Sequence, residues 1–218
     1  HEIKTPIQAI LTFSQLLQRY PERQTEFTPA INRNSLRLQW LANDILDVAK
    51  IESRRLTQNK EIFDLNEVIL NIIKDYKSII VKENYKVILL FYPSKEVLLV
   101  EADKERIAGV ISNLLSNAIK FTKEGEIFVS TEKVVNNSNN PYALVTVNDT
   151  GVGIDPEILP KIFSKFITKS FEGIGLGLYI SKHIVKAHGG KIEGKNNANG
   201  IGAEFGFTLP LIKDSKTL

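Results

Sequence analysis

Asn113, Asn117 and Lys120 recur at spacings of four and three in the run Asn113-Leu114-Leu115-Ser116-Asn117-Ala118-Ile119-Lys120-Phe121-Thr122. On a helix that spacing turns two carboxamides and one ammonium to the same side. Carboxamide oxygens are hard ligands suited to Mg2+, an ion that keeps several waters and asks little of the protein. An ammonium beside them can neutralise phosphate charge. Asn117 is therefore the candidate metal ligand, and Asn113, one turn earlier, can hold the metal or its water. Asparagine forms helix poorly, so a pair of them inside one helix costs stability unless they are used. The competing explanation is a solvated polar face, and this helix alone only slightly favours the chemical one.

Three further segments carry reactive or phosphate-binding chemistry. Asp149-Thr150-Gly151-Val152-Gly153 follows the apolar run Ala143-Leu144-Val145-Thr146-Val147. A carboxylate at a strand end accepts a hydrogen bond and suits an adenine amino group, while glycines admit a flat ring close to the backbone. By itself the segment reads as readily as a plain strand-to-helix turn. Gly173, Gly175 and Gly177 alternate just before a helical pattern, where free N–H groups and a positive potential attract phosphate; a flexible loop is the alternative. No strand precedes them, so they are not a dinucleotide-binding fingerprint. At the start stand His1, Glu2 and Thr5. A neutral imidazole nitrogen is a good nucleophile near neutral pH, a neighbouring carboxylate can orient it or take its proton, and Thr5 lies one helical turn on; taken alone, a surface side chain is the stronger reading of His1. His183 and His188 have no Cys or carboxylate partners at ligand spacing and read as structural.

These groups need elements to position them. Residues 1–56 read as a helical hairpin: Ile3, Ile7, Ile10 and Leu17 form one stripe, Pro21 interrupts it, and Ile31, Leu38, Leu41, Ile45 and Val48 form a second. Two such helices bury little alone and predict half of a four-helix bundle, hence a homodimer. Residues 57–63 are polar and predict a linker. Asp64-Leu65-Asn66-Glu67 opens a helix over 65–83. Strands are expected at 87–92, 97–100, 126–132, 143–149, 191–195 and 203–209, with a hairpin loop at 136–141. Asp103 caps the helix that carries Asn113. A last helix over 175–188 stops at Gly189-Gly190, and 154–172 has the mixed composition of a lid. The pattern is α+β, with helices on one face of a mixed, mostly antiparallel sheet spanning residues 64–212, and a tail at 213–218.

Bulk properties agree with this plan. A length of 218 residues suits one or two domains, and 43% apolar residues support a core. The net charge of +3, from 28 basic and 25 acidic residues, gives no reason to invoke nucleic acid or an anionic membrane. The absence of cysteine excludes disulfides and thiolate metal sites and suits a reducing, cytoplasmic setting. No apolar run approaches the roughly 18 residues of a membrane span, and no signal peptide is visible. The chain has no initiator methionine and opens inside a motif, which predicts a piece of a longer protein with sensor or membrane segments upstream.

The order of the segments is more specific than any one of them. His1-Glu2-Ile3-Lys4-Thr5-Pro6 resembles the H box of the sensor histidine kinases of two-component systems, and residues 113–122 resemble their N box. Asp149 to Gly153 is similar to the G1 box, Ile162-Phe163-Ser164-Lys165-Phe166 to the F box, and Gly173 to Gly177 to the G2 box. Ala187-His188-Gly189-Gly190-Lys191-Ile192 also matches. The resemblance spans nearly the whole chain. It implies a dimerisation and phosphotransfer hairpin followed by an ATP-binding domain of the GHKL type. By that likeness His1 is the phosphoacceptor and Glu2 its acid/base partner, and Thr5 positions water when a response regulator is dephosphorylated. Asn117 is the Mg2+ ligand, Asn113 the polar site before it, and Lys120 and Phe121 are phosphate- and adenine-side contacts. Asp149 specifies adenine, flanked by Gly151, Gly153 and Ile154, and Gly173, Gly175, Leu176, Gly177 and Leu178 form the lid hinge and phosphate loop.

The function so implied is an ATP-dependent autokinase that phosphorylates His1 and passes the group to an aspartate of a response regulator. A non-catalytic nucleotide-binding scaffold is the alternative. A GHKL ATPase of the chaperone or topoisomerase kind would carry a catalytic Glu where Asn113 stands. Two features depart from the family pattern: its first helix extends ahead of the histidine, whereas this chain begins at His1, and the lid segment 167–172 is short.

Overall fold

The computed structural model describes residues 3–53, 58–135, 140–168 and 174–212. By internal contacts the chain divides into two compact units, residues 1–56 with 165–180 and residues 57–164 with 181–218. The break after residue 56 falls where the polar stretch begins. The inclusion of 165–180 in the first unit was not expected; within that unit Lys165 pairs with Glu52 and lies 5.2 Å from the Tyr179 ring.

The first unit is built on a helical hairpin. Helix α1 (Lys4–Arg19) ends at Tyr20, Pro21 starts a single 3-10 turn over Pro21–Arg23, and α2 (Gln24–Glu52) returns. Proline suits the first position of such a turn because its missing N–H would have no partner there. Phe27, Ala30 and Leu41 are buried, with Phe13 and Phe27 rings 6.1 Å apart. Much of the expected apolar stripe stays uncovered: Ile3, Ile7 and Ile45 are exposed, as are Leu11, Leu36, Leu46 and Trp40.

The second unit alternates helices and strands: β1 (Lys60–Asp64), α3 (Leu65–Lys82), β2 (Lys86–Tyr92), β3 (Leu99–Asp103), α4 (Lys104–Phe121), β4 (Glu124–Val135), β5 (Pro141–Asp149), α5 (Gly177–Ala187), β6 (Ile192–Asn196) and β7 (Ala203–Pro210). Helix α5 crosses the boundary between the two units. The main sheet has the order β2-β4-β5-β7-β6; only the β2–β4 pair is parallel. β1 and β3 form a separate antiparallel pair. The expected linker 57–63 is corrected here, because Lys60 already begins a strand. Ile62 lies exposed and only Phe63 is buried, so the apolar alternation that reveals a strand is nearly absent.

Alternation elsewhere is clear. On β4, Ile127, Val129 and Thr131 face inward, and on β5 Ala143, Val145, Val147 and Asp149 do so. Helix α4 covers that face with Ile107, Val110, Ile111, Leu114, Leu115, Ala118 and Ile119, the three-and-four spacing of a buried stripe. Both predicted caps form: Asp64 accepts from the Asn66 N–H at 3.0 Å and Asp103 from the Arg106 N–H at 3.1 Å. His188 is structural, as its sequence setting indicates. Its Nε2 accepts the Asp103 N–H at 3.0 Å, and its Nδ1 donates to Ile184 O at 2.8 Å. The buried ring thereby ties the end of α5 to the start of α4. Residues 136–139 of the expected hairpin loop and the tail 213–218 lie outside the described residues.

Candidate nucleotide and phosphotransfer site

Helix α4 separates its two jobs by face. The apolar stripe fixes it on the sheet, so the opposite side presents Asn113, Asn117 and Lys120, as their spacing predicts. Asn113 and Asn117 are half-buried and Lys120 is exposed. Asn113 Nδ2 donates to Ser181 Oγ at 3.0 Å, which orients its carboxamide and directs its oxygen away from that bond. The Asn117 side chain has no hydrogen bond among the described residues, so its carboxamide is available. Lys120 Nζ lies 5.7 Å from the Phe121 ring.

The end of α4 meets the loop after β5. Val152 N–H donates to Phe121 O at 3.3 Å. A side chain at Gly151 would run into Phe121 O and come within 2.9 Å of Asp149 Oδ1, so only glycine allows this approach. Asp149 is 4% exposed. Its Oδ1 accepts the Gly151 N–H at 2.9 Å and the Ala203 N–H at 3.3 Å. No bond reaches Oδ2 among the described residues, and Oδ2 is not among the sealed, unpartnered atoms. One carboxylate oxygen is thus fixed by backbone and the other is open. Burial pushes the Asp149 carboxyl above its ordinary value, against the lowering effect of its two backbone bonds.

The loop is held by residues that carry no local signal in the sequence. Asn196 Oδ1 accepts the Ile154 N–H at 2.6 Å, and its Nδ2 donates to Ile154 O at 2.7 Å. Asn197 Nδ2 donates to Asp149 O at 2.9 Å. Thr150 Oγ1 accepts the Glu126 N–H at 2.9 Å. Gly153 sits at φ +72. Ser181, Asn196, Asn197 and Ala203 were not anticipated; their partners are far away in sequence, 68 residues in the case of Ser181.

Part of the expected lid is anchored. Ile162 is buried, Phe163 packs edge-on against Phe205 at 6.5 Å, and Lys182 lies 5.8 Å from the Phe163 ring. In the other unit, the Phe166 N–H donates to Gly175 O at 3.0 Å, and Gly175 (φ +71) lies so close to Ile167 that a Cβ would come within 2.6 Å of its carbonyl oxygen. Leu176 is buried, Gly177 starts α5 and Leu178 is half-buried on its first turn. Thr5 is exposed on the first turn of α1. His1, Glu2 and Gly173 lie outside the described residues.

The donor set fits a magnesium-bound nucleotide. Among the described residues no cluster of three His, Cys, Asp or Glu could cage a metal alone, so an ion here would rest on a carboxamide, water and phosphate oxygens. The open Asp149 oxygen and the Cβ-free edge at Gly151 suit an aminopurine.

Comparison with known proteins gives two family matches in sequence order. Residues 1–54 match the His Kinase A (phospho-acceptor) domain, and residues 102–213 match the histidine kinase-, DNA gyrase B-, and HSP90-like ATPase family. The hybrid signal transduction histidine kinase B of Dictyostelium discoideum is 33% identical over 218 residues, covering 96% of this chain and 11% of that protein. Among solved structures, histidine kinase AdeS of Acinetobacter baumannii aligns with a TM-score of 0.76 over 97% of this chain and 98% of its own, at 24% identity, a likeness of fold. Histidine kinase ThkA, solved in complex with the response regulator protein TrrA, aligns with a TM-score of 0.70 at 31% identity, over 99% of this chain and 60% of that one. The chain spans between 11% and 25% of the length of curated relatives it matches. Among the described residues no helix is long and apolar enough to cross a membrane.

Proposed function

The chain belongs to the histidine kinases of two-component signalling, and from that premise we propose that it is an ATP-dependent protein-histidine kinase whose phosphoacceptor is His1. The observation that carries the reading is Asp149, buried, with Oδ1 pinned by two backbone N–H groups and Oδ2 left without a bond among the described residues, at the start of a loop whose Val152 N–H reaches Phe121 O at the end of α4. Bound ATP and Mg2+ supply the phosphoryl group and the cation that offsets its charge. The protein's own residues do the rest. Asp149 Oδ2 accepts the adenine amino group, and Gly151 keeps the ring edge clear. Asn117 offers its oxygen to Mg2+, Asn113 is held ready by Ser181, and Lys120 neutralises phosphate charge. Gly153 and Ile154 shape the wall of the pocket and Phe121 lies at the adenine side. Gly173, Gly175, Leu176, Gly177 and Leu178 form the hinge and the phosphate-facing helix start.

A ring nitrogen of His1 would attack the γ-phosphorus of ATP as ADP leaves, with Glu2 taking the imidazole proton. The group then passes to an aspartate of a response regulator, a partner class supported by the ThkA–TrrA complex. Thr5 positions water when the response regulator's phosphoaspartate is hydrolysed. The exposed apolar residues of the hairpin, Trp40 at 64% among them, favour a second copy of the chain as the other half of a four-helix bundle. No nucleic-acid or membrane contact is assigned to these residues, and we place them on the cytoplasmic side, with any membrane anchor belonging to upstream segments.

The test is His1→Gln with γ-labelled ATP. Label incorporation should vanish while calorimetric ATP binding stays within about twofold, since RT ln 2 is about 0.4 kcal/mol. Persistent label in His1→Gln would exclude His1 as acceptor. Nucleotide binding without labelling of the parent chain would make it a scaffold.

A further inference from the structure

A groove on the second unit lies outside everything assigned above. Strand β2 ends the main sheet, so one of its two backbone edges faces no other strand among the described residues. Helix α3 lies over this edge. One flank of α3 is tied to α4, where Tyr76 Oη donates to Ser112 O at 3.0 Å. The other flank carries Leu70, Lys74 and Lys77 at helical spacings of four and three, which share a pocket with Phe91 and Pro93. Between that flank and the strand is a cavity of about 590 Å3, with Leu70 and Ile73 from α3 and Phe91 and Pro93 from the strand side forming its apolar lining.

The edge lacks the usual protection. Natural sheets blunt free edges with charges, bulges or proline. Here Ile88 and Tyr92, on the sheet face turned away from α3, are 58% and 54% exposed, and Leu70, on the groove side, is 43% exposed. Only Lys86, at the strand's start, carries charge, and Glu124 sits 3.5 Å from it.

Charge is distributed along the groove in one direction. Lys74 and Lys77 line it toward the end of α3, and neither makes an ion pair among the described residues. Glu67 lies at the opposite end, in the first turn of the helix. The tight turn from α3 into β2, with Tyr85 N–H bonded to Ile80 O at 3.0 Å, sets the two lysines nearer the start of the strand. A ligand would therefore find cations at the start of β2 and an apolar trough further along it.

We infer that this groove binds an extended acidic segment of a partner protein, which adds as a strand to β2, seats an apolar side chain between Leu70 and Phe91, and sets its carboxylates against Lys74 and Lys77. Backbone pairing gives such a site affinity, and the alternate side chains give it selectivity. The site does not depend on the kinase assignment.

The probe is a fluorescein-labelled octapeptide whose alternate residues, all on one strand face, are two glutamates followed by two valines, with threonine at the positions between them, titrated into the full chain by anisotropy. Hydrogen exchange is followed at residues 86–92. The expected result is sub-millimolar binding that weakens with salt, with added protection confined to β2. A proline at the centre of the peptide should abolish it, and replacing its glutamates with lysine should weaken it at least tenfold. K74E/K77E should lose at least tenfold in peptide affinity and keep ATP binding, which shows the variant is folded. Absence of binding, equal binding of the acidic and lysine peptides, or unchanged binding by K74E/K77E would each overturn the proposal. So would protection of 86–92 that rises with protein concentration without peptide, because the occupant would then be a second copy of this chain.

Discussion

Asp149→Asn separates recognition from folding more sharply than any other change at the site. Asparagine keeps the shape and keeps Oδ1, so the bonds from Gly151 N–H at 2.9 Å and Ala203 N–H at 3.3 Å can persist. What changes is the open atom. Oδ2, a charged acceptor, becomes an NH2 donor facing the donor of an aminopurine. A hydrogen bond to a charged group contributes about 1.5–3 kcal/mol, and tenfold in affinity is about 1.4 kcal/mol. The expected loss is therefore about 10- to 150-fold in nucleotide affinity. Stability should move the other way or not at all. Burial raises the folded-state pKa of Asp149 above its unfolded value. The ionised carboxylate then costs stability, a cost that develops as pH rises from the unfolded value through the folded one and is complete above it. Asparagine carries no such cost, so the melting temperature at pH 7 should hold or rise. Titration calorimetry with ATP and Mg2+, beside scanning calorimetry, measures both. A Kd within threefold of the parent would refute the adenine role, and a large fall in melting temperature would mean that the charge serves the fold.

Gly151→Ala should weaken nucleotide binding more than tenfold by calorimetry, because its Cβ would meet the Phe121 carbonyl and crowd Asp149 Oδ1. Asn113→Ala and Ser181→Ala remove the two ends of one 3.0 Å bond. Their effects on autophosphorylation should be non-additive by about 0.5–1.5 kcal/mol in a double-mutant cycle, and strict additivity would dismiss Ser181 as the residue that orients Asn113. His188→Ala strands the buried Asp103 N–H, while the Ile184 carbonyl keeps its bond from the backbone N–H of residue 188 at 3.2 Å. Urea unfolding should record a loss of about 1–3 kcal/mol; a change under 0.5 kcal/mol would mean that water replaces the ring without penalty.

Much of this architecture was legible because local periodicity and burial agree. On α4 the apolar residues fall at three-and-four spacing, and Asn113, Asn117 and Lys120 occupy what remains, so fold and site are written in the same eighteen residues. Asp103 announces the helix start because a cap is a local bond. β1 escaped notice for the opposite reason: Lys60-Glu61-Ile62-Phe63-Asp64 gains its strand geometry from pairing with β3, a tertiary event with no period of its own. Likewise Asn196, Asn197 and Ala203 sit in a turn and a strand start that could belong to any hairpin. Their importance arises only when β6 and β7 bring them to the Asp149 loop, 54 residues away in the case of Ala203. The anchored half of the presumed lid had a cue that composition obscured, since Ile162 and Phe163 are apolar residues among lysines.

The bond from Phe166 to Gly175 has a bearing on how this domain can be altered. It knots together the two stems of the segment between them, so the start of α5 takes its bearings from the knot and not from the number of residues spliced inside. Each doubling of a closed loop adds only about 0.6 kcal/mol of entropy. Changes of length between these two residues should therefore cost the first unit little.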